Sequence, residues 1–165
     1  MIELTEEPYD GDVAQRLVRL LMLELNERYA GHEDADDPDD DEYLAEVTPE
    51  MVRRPLGAFL VAWLDGAAAV GCGALKPLGG DPAHGEIKRM YTLPTARRRG
   101  VSRVVLEGLE SIAAELGYAR IQLETGLAQP EAISLYESHG WHRIPNYGHY
   151  KHSPMSVCFA KEVAT

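Results

Sequence analysis

The sequence predicts an α/β fold, a mixed sheet with helices on its faces, and three observations carry that prediction. Strand-like and helix-like runs alternate along the chain in the order β, α, ββ, β, α, β, α, ββ. Asp65-Gly66, set between two apolar runs, is a strong hairpin signal. Residues 85–109, GEIKRMYTLPTARRRGVSRVVLEGL, read as a strand, a tight basic turn and a helix. The 165 residues suffice for one domain with a real core, and neither a repeat nor an interdomain linker divides residues 1–165.

Taken in order, residues 2–6 form a first strand, and Asp10 or Asp12 caps a helix over residues 13–29. In that helix Leu17, Leu20, Leu21 and Leu25, with Val13 and Val18, make a broad apolar stripe that reads as core packing. Residues 31–43, GHEDADDPDDDEY, are too acidic to bury a core and read as a solvated loop. They lack the central glycine and spacing of a calcium loop, and at the rim of an acceptor site they would attract amines. Residues 51–55 form a turn or short helical piece. Residues 57–64 are an apolar strand, and residues 67–75 return beside it, with Gly71 and Gly73 weakening or kinking the return. Residues 76–83 are turn-rich.

Ile87, Met90, Tyr91 and Leu93 mark the next strand, which Pro94 stops. Val101, Val104, Val105, Leu106 and Leu109 give the following helix its apolar face, and Gly117 is its C-terminal stop. Residues 119–125 alternate as a strand. Gln129-Pro130-Glu131 opens a helix with periodic Ala132, Ile133, Leu135 and Tyr136, ended by Gly140. A short strand at 141–144, a loop at 145–154 and a final strand at 155–160 complete the chain.

Composition bounds the function. Hydrophobic residues make up 45% and charged residues 26%, as in an ordinary soluble domain, and no apolar run approaches a membrane span. The acidic start, MIELTEEPYDGD, has no signal-peptide core. Cys72 and Cys158 lie in apolar runs without metal-ligand spacing and read as buried reduced thiols, which suits the cytoplasm. A formal charge of −11 argues against nucleic acid as the main partner and suits a small amine, although acidity more often serves solubility. A homodimer is compatible with the sequence, which does not fix the oligomeric state.

The chemistry starts at the basic turn. A helix that opens at Arg97, Arg98, Arg99 and Gly100 has backbone N–H groups without partners and a positive dipole end. Gly100 lets a ligand approach the backbone, so the turn is suited to phosphate. An RRRG turn alone is more often only a solvated basic turn. The strand before it, the glycine at the helix start, and a Glu and a Tyr elsewhere in the chain raise the functional reading.

These residues resemble the acetyl-CoA-binding motif of the GNAT superfamily of N-acetyltransferases, Gln/Arg-x-x-Gly-x-Gly/Ala. Here the motif reads Arg97-Arg98-Arg99-Gly100-Val101-Ser102, with Ser102 where the family has Gly or Ala. A second run, Ala132-Ile133-Ser134-Leu135-Tyr136-Glu137-Ser138-His139-Gly140-Trp141, resembles the family's A-x-x-L-Y-E-x-x-G-[FW] signature and follows the first by one strand. The resemblance implies a mostly antiparallel mixed sheet splayed at two middle strands, with acetyl-CoA in the cleft. It implies that Arg97, Arg98, Arg99, Gly100, Val101, Ser102 and Arg103 hold the pyrophosphate. The backbone of Met90, Tyr91 and Thr92 would meet the pantetheine and the thioester carbonyl. Gln129 stands where many members have an Asn that contacts the cofactor arm.

By the same resemblance Tyr136 is the general acid, where its plain structural role would be a ring packing helix on sheet. Glu86, eleven residues before Arg97, sits at the offset of the general base in one branch of the family. Its alternative role is an ion pair with Lys88 or Arg89. Tyr147, His149 and Tyr150, in PNYGHYKHSP, fall in the region that lines the acceptor side. His149 and His152 have a spacing of three but no third ligand at matching spacing, so no metal is expected. The expected activity is acetyl transfer from acetyl-CoA to a small-molecule amine in a ternary complex. A non-catalytic acyl-CoA-binding module and a protein N-terminal or lysine acetyltransferase are the alternatives. A nucleotide-binding protein ranks lower, because both common glycine-loop patterns are absent.

Overall fold

In the computed structural model, which describes residues 1–32 and 41–164, seven strands form one sheet in the order β1-β2-β3-β4-β5-β7-β6. The elements are β1 (Ile2–Glu6), α1 (Asp12–Tyr29), α2 (Asp41–Ala45), β2 (Ala58–Leu64), β3 (Ala68–Pro77), β4 (His84–Thr92), α3 (Val101–Glu115), β5 (Arg120–Gly126), α4 (Pro130–Ser138), β6 (His142–Ile144) and β7 (Ser156–Glu162). A single 3-10 turn, Pro94–Ala96, joins β4 to the basic stretch. Among the described strands β4 and β5 pair in parallel, and the other neighbours are antiparallel. The order of elements is the expected one except for α2, whose residues 41–43 the sequence reads as the end of a solvated loop. Most of the acidic segment, residues 33–40, lies outside the described residues, as do the expectations placed on it.

Two cores cover the two faces of the sheet. On one face Leu17, Val18, Leu21 and Met22 of α1 pack on Phe59, Val61, Cys72 and Tyr91. On the other, Val101, Val105, Leu106 and Leu109 of α3 join Ile87, Ile121, Leu123 and Phe159, with Tyr136 and Trp141 at the end near α4. Each helix buries the stripe that its 3.6-residue period places on one side. At about 25 cal/mol per Å² of apolar area, such stripes rather than helix propensity hold α1 and α3 in place.

One further expectation changes. Neither Asp10 nor Asp12 caps α1: Gly11 is the capping residue, without a side-chain bond, and Asp12 lies in the first turn, where its charge suits the helix dipole. Gly71 and Gly73 sit where the pairing of β3 slips register, Gly71 against β2 and Gly73 against β4, as strand glycines are expected to, although β3 continues to Pro77. They are where α3 comes close to the sheet. A Cβ on Gly71 would stand 2.7 Å from Val101 Cγ1, and one on Gly73 would stand 2.8 Å from side-chain atoms of both Val105 and Leu109. At the hairpin, Asp65 (φ 52°) and Gly66 (φ 72°) both take the left-handed conformation that the Asp-Gly pair favours.

Candidate active site

The site exists because β4 and β5 stop pairing. Their parallel register runs from His84↔Arg120 to Ile87↔Leu123 and ends there. Beyond that point a bulge interrupts β4. Two steps along β3, from Cys72 to Ala74, match three along β4, from Tyr91 to Lys88. Arg89 takes up the difference at φ 59°, and the Cys72 thiol donates to its carbonyl at 3.3 Å. The far halves of β4 and β5 therefore diverge, and the backbone of Met90–Thr92 has no ladder partner on the β5 side.

Two spaces open in the wedge, and they share walls at Leu21, Met90, Gln129, Ala132 and Tyr136. The larger, about 520 Å³, lies at the α3 start and is lined by Tyr91, Thr92, Arg97, Arg98, Gly100, Val101, Ser102 and Arg103. Gly100 is in the left-handed conformation (φ 82°, ψ 11°), as is Arg98 (φ 64°), and no side chain caps α3. The first N–H groups of α3 thus face this space unsatisfied, beside two exposed guanidinium groups. Both are features a pyrophosphate fits. Arg97 is committed elsewhere: its Nε donates to the Thr92 carbonyl at 3.1 Å and its Nη2 pairs with Glu24 of α1. Arg97 thereby fixes the shape of the turn. The Ser102 hydroxyl is 2.8 Å from that of Thr92, tying the helix start to the end of β4. Arg99 is exposed and does not line the space.

A latch crosses the cleft from α1 to the β5–α4 turn. Arg28 forms an ion pair with Glu131 and donates to the Ala128 carbonyl, and Gln129 donates to the Tyr29 hydroxyl at 3.1 Å. Gly126 is required there, because a Cβ would collide with the Tyr29 hydroxyl.

Tyr136 stands where the two spaces meet. Its ring packs between Trp141 and Phe159, each 5.8 Å away by centroid, and it is 4% exposed. Burial pushes the phenol pKa up, so it keeps its proton at any physiological pH.

The smaller space, about 160 Å³, is walled by β4, β5, the end of α1, Tyr43 of α2, and the loop before β7 through Tyr150, Ser153 and Met155. Glu86 does not line it. It is buried, accepts a 2.7 Å bond from the Tyr147 hydroxyl and lies 3.4 Å from Lys76 and 3.9 Å from Lys88. The alternative role, an ion pair with Lys88, is the one its surroundings fill. Tyr147, spent on Glu86, does not line the space either. His149 stands 3.5 Å from Glu42 and edge-on to Tyr150, also off the wall. Of these three substrate candidates Tyr150 lines the cavity.

The carboxylate that does line it is Glu124 on β5. Burial raises its pKa to about 7, while the nearby Lys88 charge pulls the other way. Lys88 itself is held charged, since Glu86 and Glu46 outweigh the cost of burying it. Sequence reasoning missed Glu124, Arg89 and Tyr43. The one signal for Glu124 was a charged residue at the end of a strand whose alternation buries its neighbours Leu123 and Thr125. For Arg89 there was none, because a non-glycine residue at positive φ leaves no mark in composition. Among the described residues no group of three or more His, Cys, Asp and Glu could hold a metal, and no helix is long and apolar enough to cross a membrane.

Comparison with known proteins addresses the family directly. The family model described as "Acetyltransferase (GNAT) family" matches residues 17–141, which span both motifs and the cleft. The uncharacterized N-acetyltransferase YsnE of Bacillus subtilis (strain 168) is 41% identical over 116 residues, 69% of this chain and 75% of its own. An IAA acetyltransferase of Azospirillum brasilense is 34% identical over 130 residues, 73% of this chain and 84% of its own. The crystal structure of a GNAT family acetyltransferase from Elizabethkingia anophelis with acetyl-CoA bound superposes with a TM-score of 0.66 at 16% identity, covering 98% of this chain and 97% of that one. With its two motifs on the walls of one splayed cleft, the chain belongs to the GNAT family and is an acetyl-CoA-dependent acyltransferase.

Proposed function

We propose that the protein transfers the acetyl group of acetyl-CoA to the amine of a small molecule, with both substrates bound at once. The observation that carries this reading is the junction at Tyr136. A large cleft with a phosphate-suited end and a small, half-polar cavity share that residue as a wall. Acetyl-CoA supplies an activated acyl group. Arg98, Arg103 and the uncapped start of α3 would hold its pyrophosphate, and the Met90–Thr92 backbone, open on the β5 side, and the Gln129 amide would hold the arm leading to the junction. Direct attack is favoured because neither cysteine lines either space, and burial pushes the Cys72 thiol up to about 12. A volume near 160 Å³ is comparable to the roughly 150 Å³ cavity that accepts a benzene-sized guest, which favours a small acceptor over a protein segment.

An amine at neutral pH is mostly protonated and must lose a proton before it attacks. Glu124, with a pKa of about 7, takes that proton at its carboxylate. Glu86, assigned this task by its sequence offset, instead holds Lys88 and Tyr147 in place behind the wall. Tyr136 donates its phenolic proton to the departing sulfur. The test is release of free thiol from acetyl-CoA on incubation with a panel of small amines. Amine-dependent release with an acetylated product is expected. Tight CoA binding with no release on any amine would leave a binding module instead.

A further inference from the structure

The reaction requires an amine, but the cavity also constrains what else the acceptor carries. The charges in and behind its walls are not all matched. Lys76, Lys88, Glu86 and Glu46 pair among themselves, at 2.7 to 3.9 Å. Arg89 and Glu124, one on each wall of the wedge, make no ion pair among the described residues. Arg89 is 4% exposed, and the bulge holds it at positive φ. Its Nη2 donates to the Tyr43 carbonyl at 3.0 Å, its Nε reaches the Tyr9 hydroxyl at 3.4 Å, and its plane lies over the Tyr43 ring at 4.5 Å. Its Nη1 is the buried side-chain polar atom that lacks a hydrogen-bond partner among the described residues. A buried guanidinium N–H without an acceptor is costly, and a strained backbone that holds it there adds to the cost. Packing gives no return for either. A ligand that brings an acceptor does.

We infer that Arg89 anchors a carboxylate of the acceptor, so that the acceptor is a small amino acid whose ammonium group faces Glu124. The inference rests on the acetyltransfer proposed above and names its substrate class. A guanidinium is planar, permanently charged and shaped for a carboxylate. Tyr43 fixes that plane from one side and occupies Nη2, which leaves Nη1 for the ligand. Glu124, opposite, is the complementary charge for an ammonium. An uncharged amine would leave Arg89 as unsatisfied as it is now, and a dianion would leave Glu124 without a partner. Leu25 and Met155 supply apolar wall for an aliphatic or aromatic side chain.

The experiment is calorimetric titration of the CoA-loaded protein with matched pairs, each an amino acid and its uncharged amide. In at least one pair the acid should bind at least about 10-fold more tightly, the scale of one hydrogen bond to a charged group. Arg89→Met should abolish the difference between acid and amide, and Arg89→Lys should keep part of it. CoA affinity reports whether each variant is folded, and if Arg89→Met does not fold, the wild-type ratio and Arg89→Lys decide. Equal affinity within every pair, absence of binding by any acid, or an acid preference that survives Arg89→Met overturns the inference. Thiol release on the same pairs separates the two readings. An acid that binds with preference but is never acetylated removes the acetyltransfer reading and leaves the anchor. Acetylation without acid preference does the reverse.

Discussion

The two spaces that meet at Tyr136 are built by opposite means. The larger one relies on backbone: an uncapped helix start, a left-handed Gly100, and strand amides freed by the divergence of β4 and β5. Its arginines are exposed or spent on shaping the turn. The smaller one relies on side chains drawn from α2, β4, β5 and the loop before β7, with its charge supplied by Lys88, Arg89 and Glu124 on β4 and β5. The difference teaches where each kind of specificity resides. A backbone cradle recognises a group that every use of the fold shares, and it is encoded in a few consecutive residues. A cavity assembled from distant segments can change its preference by one substitution in any of them, without disturbing the cradle.

The comparison breaks first at the junction, because Tyr136 serves both sides. Tyr136→Phe keeps the packing against Trp141 and Phe159 and deletes one proton donor. Turnover should fall by roughly 10²-fold or more. CoA affinity measured on the same variant should stay within about a factor of three. Parent-like turnover would assign the acid to another group or to water.

The two carboxylates sharpen the contrast on the acceptor side. A base must be deprotonated, so activity should rise with pH through about 7, the value to which burial lifts Glu124. Glu124→Gln should lower kcat/KM by roughly 10- to 100-fold near neutral pH and flatten that limb, with a smaller loss at high pH, where free amine is abundant. Glu86→Gln should retain the limb. The reverse pattern would restore Glu86 as the base. Stability gives an independent check. Because the folded state raises the pKa of Glu124, the contribution of its neutral form is present below about 4.5 and is lost as pH rises through about 7. Thermal melts of Glu124→Gln should therefore show a gain over the parent at pH 8, on the order of 1–3 kcal/mol, and none near pH 4.

On the cofactor side the expected effect is smaller and confined to binding. Gly100→Val places a β-branched residue at φ 82°, where only Arg103 is near, so the cost is backbone strain rather than collision. CoA affinity should drop by roughly 10-fold as the turn shifts to relieve about 1–2 kcal/mol of that strain, while circular dichroism stays native. Unchanged affinity in a titration would separate the basic turn from phosphate binding. The smallest effect lies beneath both spaces. Gly73→Ala would press a methyl into Met90, Val105 and Leu109, at 2.6 to 2.8 Å. Overpacking of this kind costs about 1–3 kcal/mol and should lower Tm by a few degrees, with kcat and CoA affinity little affected.

The order of elements, the hairpin at Asp65-Gly66, the phosphate-suited turn and the helix carrying Tyr136 were legible from the residues alone. Each is set by interactions spanning a few positions: turn chemistry, a helix start, or a 3.6-residue stripe. Three things were not legible. That Gly73 also admits α3 depends on how closely a helix some thirty residues later approaches it. That Glu86 is spent on Lys88 and Tyr147, while Glu124 faces the cavity, depends on which segments cross over β4 and β5. That Arg89 lines the smaller cavity depends on a bulge whose register is counted against β3. Local chemistry writes itself into adjacent residues. The pairing of buried charges is decided by long-range packing, because a buried charge is costly unless a partner is brought in from elsewhere.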